Sequence, residues 1–161
     1  MSTDLILAVN RLQALHRDVP GISYAPDLAE YPPNLTTANL PAVLTWPADG
    51  QWYLKGGGWR TDERTMLVLL YIAPLGQNDI PSNAAEAVSL LAQLRETHIL
   101  RQNVPLADPD DNVDAYQITL ESGPDRPHSD GGIEPNLSFG GALYYGARLR
   151  INVRLLWGAE S

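Results

Sequence analysis

Three histidines, His16, His98 and His128, are the side chains in this 161-residue chain best suited to acid–base or metal chemistry. An imidazole titrates near neutrality, and each of its two nitrogens can hold a proton or a metal. The three lie far apart in the sequence, and none has a second ligand one helical turn away. His16 and His98 fall at the C-terminal ends of predicted helices, where positive charge offsets the partial negative charge of the last carbonyls. His128 falls in a long loop. A second cluster, Asp108, Asp110, Asp111, Asn112 and Asp114, suggests calcium. It lacks the central glycine and closing glutamate of a helix–loop–helix calcium site and reads as a solvated acidic turn. Gly56-Gly57-Gly58 precedes no helix and is followed by no Lys-Ser or Lys-Thr pair, so it does not read as a phosphate loop. No strand-to-helix serine elbow occurs. The chain has no cysteine, which removes thiolate chemistry and disulfides. The residues therefore predict no catalytic, cofactor or metal site and a protein that is not an enzyme.

Arginine offers a different chemistry. Arg148, Arg150 and Arg154 alternate along the last predicted strand and would share one of its faces. Like charges stacked on one strand repel unless carboxylates intervene. Those carboxylates could belong to the same chain, giving an ordinary solvated sheet face. They could instead belong to a second copy, making the arginines a subunit interface with Glu63, Glu121 or the Asp108–Asp114 segment as acidic partners. Both readings stay open at this point. Eleven basic against nineteen acidic residues give a formal charge of −8. That balance disfavours broad attraction to nucleic-acid phosphates or anionic lipid, and it suits either simple solubility or a wall past which DNA slides without sticking.

The elements that would position these groups follow from periodicity. Residues 3–17 form a predicted amphipathic helix, with Leu5, Ala8, Val9, Leu12 and Leu15 at helical spacing. Pro20-Gly21 ends it. Residues 22–41 carry Pro26, Pro32, Pro33 and Pro41, too many for a regular element, and predict an extended interaction arm. Residues 42–46 predict a short strand turning at Asp49-Gly50 into a hairpin partner at 51–55. Residues 64–73 are apolar on both faces and predict a central strand. Residues 82–100 predict a second helix with a stripe of Ala84, Ala87, Val88, Leu91, Leu94 and His98. Residues 115–121 alternate as a strand. Residues 122–138, with Gly123, Pro124, Pro127, Gly131, Gly132 and Pro135, predict a long mobile loop. Leu143 to Trp157 alternates almost without a break. At about 3.4 Å per residue it would span about 50 Å, so it must bend at Gly146 or find cover from another chain. The fold class is α+β in one domain: a mostly antiparallel twisted sheet, two main helices packed on one face, and a long C-terminal strand. Apolar content of 44% fits a folded domain. No apolar run approaches a membrane span, and Met1 to Val9 lacks the basic start of a secretory signal.

The order of these pieces resembles the tail terminator, or tail-completion, proteins of long-tailed bacteriophages. The pieces are the N-terminal helix, the Pro-rich connection leading to PAVLTW (41–46), the segment RTDERTMLVLLYIAPLGQND (60–79), the single helix after it, and two late strands around a variable loop. The resemblance implies a structural virion protein of the tail and neck, assembled in the host cytoplasm. Six copies would form a ring that caps the tail tube, ends its polymerisation and offers a joining surface to the head-closure or connector protein. DNA would pass through the lumen without specific binding, and no cofactor or membrane is implied. A head-closure, connector or minor tail protein is the nearest alternative. A small α+β hydrolase or ligand-binding domain is the alternative from another class.

Overall fold

The computed structural model describes residues 3–54, 60–76, 80–102, 104, 106, 116–120 and 129–157. Helix α1 (Thr3–Arg17) is followed by two short 3-10 turns, then strands β1 (Ala42–Leu54) and β2 (Arg60–Pro74). Helix α2 (Ile80–Arg101) precedes β3 (Tyr116–Leu120), β4 (Ser129–Phe139) and β5 (Ala142–Trp157). The five strands form one antiparallel sheet in the order β1-β2-β5, with β3 and β4 sharing the far edge of β5. The fold is α+β, as the periodicity predicts.

One face of the sheet carries the main core. Met66, Val68, Leu70 and Ile72 of β2 meet Ala147, Leu149, Ile151, Val153 and Leu155 of β5 beneath Ala8 and Leu12 of α1 and Ala87, Leu90, Leu91 and Leu94 of α2. The stripe predicted for α2 is therefore shifted. Leu90 is buried, whereas Val88 is 56% exposed. Both residues are apolar, and the hydrophobic pattern alone does not say which side of the helix meets the sheet.

Of the two ways left open for the long terminal strand, cover from another copy is not needed, because both its edges are paired within its own chain. β2 pairs with β5 from Arg60↔Trp157 to Pro74↔Tyr144, while β3 and β4 occupy the opposite edge. Gly146 permits the close approach of β2: a Cβ there would sit 1.8 Å from the carbonyl oxygen of Leu70. The ladder shifts register at Tyr71/Ala73, opposite this glycine.

Three further expectations change. Asp49-Gly50 does not close a hairpin; β1 runs through it with a register shift between Pro47 and Gly50 and stays paired to β2. Of the predicted loop at 122–138, residues 122–128 lie outside the described residues, and 129–138 belong to β4. Glycine and proline there serve strand geometry. A Cβ on Gly131 would strike the Arg148 carbonyl, and Pro135 sits at the register shift between Glu134 and Leu137, where a missing N–H is tolerated. Gly140 and Gly141, both at positive φ, make the two-residue turn from β4 into β5.

The Pro-rich segment, expected as an extended interaction arm, packs within its own chain. It folds onto the second face of its own sheet, where Leu35, Ala42, Leu44, Tyr71, Leu137 and Tyr144 form a smaller buried cluster edged by Tyr24, Tyr31 and Leu40. The Tyr144 hydroxyl donates to the Leu35 carbonyl at 3.2 Å. Asn10 of α1 accepts from the Leu28 amide at 2.9 Å. Apolar anchors and side-chain hydrogen bonds thus hold a segment that its prolines keep out of regular structure.

Candidate functional site

Two regions gather functional side chains: an arginine-bearing stretch of the sheet's second face, and a buried polar network between the helices and β1.

On the second face the arm covers only part of the sheet. Beyond it Arg148 and Arg150 are exposed. They line an open groove of about 220 Å³ with Gly131, Gly132, Ile133 and Glu134. A Cβ at Gly132 would meet nothing within 4 Å, so the missing side chain opens the groove. Each arginine has an acidic neighbour within the chain. Arg148 lies 4.0 Å from Glu134. Strand register sets Asp130 directly across from Arg150 and Glu63 directly across from Arg154. Opposite charges at paired cross-strand positions, as at Glu63 and Arg154, offset repulsion along a strand. Of the two readings of the arginines, the structure gives the local one a concrete form. Glu121 and the Asp108–Asp114 segment lie outside the described residues.

The second region brings together residues that sequence separation concealed. His16 Nε2 and His98 Nε2 are 2.9 Å apart, their rings meet edge to face at 5.1 Å, and both are fully buried. Each sits in the last turn of its helix, and there the two are buried against each other. His128 lies outside the described residues.

Hydrogen-bond directions in this network follow from Gln13, also fully buried. Its Nε2 donates to the Pro26 carbonyl at 2.9 Å and the Val43 carbonyl at 2.8 Å. Oε1 is then the acceptor, taking the Thr45 hydroxyl at 2.8 Å and His16 Nδ1–H at 3.0 Å. With its proton on Nδ1, neutral His16 offers the Nε2 lone pair, and His98 donates Nε2–H to it. Burial holds His16 well below the ordinary value of 6.5, reinforced by His98 and Arg17.

The same residues close the outer edge of β1. Val43 and Thr45 point their backbone groups away from β2. The Val43 amide donates to the Tyr24 carbonyl at 2.9 Å, and its carbonyl accepts from Gln13. Tyr31 caps Thr45. Pro47, next in the alternation, has no N–H to offer. An edge strand with unpaired amides is a template for strand addition, and this part of the edge offers none.

Among the described residues no group of three or more His, Asp or Glu gathers to hold a metal ion, and no helix is long and apolar enough to cross a membrane. No protein-family model and no curated protein sequence matches the chain.

Proposed function

We propose that this chain is a structural, non-enzymatic subunit that assembles with copies of itself into a ring on a phage tail tube, as a tail terminator. In that role it ends tube growth and presents a joining surface to the head-side connector, and DNA passes through the lumen. The observation that supports this reading most is the division of the sheet's second face. One part is sealed by the chain's own arm, and the other carries Arg148 and Arg150 around an open groove. The acidic total of −8 suits a lumen that repels phosphate. A head-to-tail ring joins two different surfaces of each subunit, and the groove is a candidate for one of them.

Phage assembly without this protein tests the reading through tail length. Overlong or unjoined tails are the expected result. Tails of normal length that still join heads defeat it.

A further inference from the structure

The buried histidines carry an inference separate from assembly. Their contact joins the last turn of α1 to the last turn of α2, and Gln13 ties it to β1 through Thr45 and Val43. We propose that the His16–His98 contact is a two-proton latch, closed while the pair carries no more than one added proton, whose second protonation releases the last turns of α1 and α2 from each other.

The proton count follows from the hydrogen-bond directions. In the neutral pair one hydrogen lies between the rings, on His98 Nε2. A first proton added at His98 Nδ1 leaves that bond in place and makes it charge-assisted. A second proton has only His16 Nε2 to go to, because His16 Nδ1 already holds a hydrogen directed at Gln13. Two N–H groups would then face each other across 2.9 Å, between two cations whose rings are 5.1 Å apart. His16 cannot turn away without giving up its Nδ1–H bond to Gln13.

Several described groups around the pair do not favour a second charge. On α1, Arg17 adds positive field, and its guanidinium is engaged with Asp27 at 3.2 Å and the Ala25 carbonyl at 3.0 Å. On α2, Arg101 lies one turn beyond His98. β1 supplies the Thr45 hydroxyl, and the arm supplies the Pro26 carbonyl, already taken by Gln13. The partial negative charge of two helix ends favours a proton, which suits one proton shared by the pair. Desolvation opposes a second.

Hydrogen exchange followed by mass spectrometry between pH 7.5 and 5.0, corrected for intrinsic rates, tests the latch in the intact chain. Protection of amides in 13–17 and 95–101 should fall at least tenfold more than protection in β2 and β5. His98→Gln keeps a donor nitrogen at this position, and its amide can turn to accept from a protonated His16. In that variant the excess loss should shrink to threefold or less. Equal pH responses of the two helix ends and the sheet overturn the latch, as does a His98→Gln response matching the parent's. An NMR titration of the parent's imidazole carbons decides the matter should the variant fail to fold. Coupled titration of the two rings in two steps supports the proposal, and two independent titrations overturn it.

Discussion

The hydroxyl of Tyr31 makes two hydrogen bonds to a single residue, donating to the carbonyl of Thr45 and accepting from its amide, each at 2.8 Å. Burial raises the phenol's pKa above its ordinary value, with Asp27 and Tyr71 adding to the shift. The group keeps its proton, so both bonds persist across the neutral range. Tyr31→Phe should therefore lower stability by about 1–3 kcal/mol, the usual result of leaving a donor and an acceptor unsatisfied. It should also expose a strand edge. Urea unfolding measures the first effect and light scattering at rest measures the second. A variant as stable and as soluble as its parent would mean that water satisfies Thr45 equally well.

Gln13 holds Pro26, Val43, Thr45 and His16 through one side-chain amide. Gln13→Leu keeps much of the volume and abandons all four partners. A loss of about 3 kcal/mol or more is expected, because several buried polar groups lose their partners together. Chemical denaturation provides the number, and a loss under about 1 kcal/mol would contradict the network as described.

Two glycines separate close approach from open space. Gly146→Ala would place a methyl group 1.8 Å from the Leu70 carbonyl, whereas Gly132→Ala meets nothing within 4 Å. The first variant should fold poorly because two central strands must part. The second should change stability by less than about 0.5 kcal/mol. Thermal unfolding of the purified pair checks the contrast.

Stability should also depend on pH in a stated direction. His16 is held below its ordinary 6.5 when folded, so below that pH the unfolded chain binds the additional proton. The contribution is complete above pH 6.5 and declines as pH falls from there toward the depressed folded value. Urea midpoints between pH 7.5 and 5.0 should fall with acidification. A flat profile across that window would show that His16 is not held neutral.

For the assembly reading, Arg150→Glu is the residue-level test. The substitution sets two carboxylates opposite each other in the ladder, since Asp130 is the register partner of Arg150. It should weaken self-association by about tenfold, equivalent to about 1.4 kcal/mol, while circular dichroism stays that of a folded chain. Unchanged sedimentation would remove Arg150 from any contact between copies.

Much of this architecture was legible in the sequence. The residue range of α1 and the buried face of β5 from Ala147 to Leu155 emerge directly from periodicity, because each depends on local alternation or helical recurrence. What escaped depends on distant neighbours. Glycine and proline in 129–138 signal a loop when read locally, yet here they let β4 approach β5 and shift its register. A two-glycine turn at 140–141 between apolar alternations was the available sign of that hairpin. Read locally, His16 and His98 are helix-end residues, and nothing local reveals that the two ends meet. The polar residues Arg11, Gln13 and His16, all on α1 and all buried, were the one hint that this helix packs against something other than hydrocarbon.

The closed rim of β1 has a consequence for how large any assembly can grow. Backbone zippering repeats without limit, because each added strand offers the next the same unsatisfied amides. Along Val43 to Pro47, where Tyr24, Gln13, Tyr31 and Pro47 deny that template, any contact between copies would rest on the shape and chemistry of side chains. Contacts of that kind fix an angle between neighbours, and a fixed angle is what allows a set of copies to come full circle and stop.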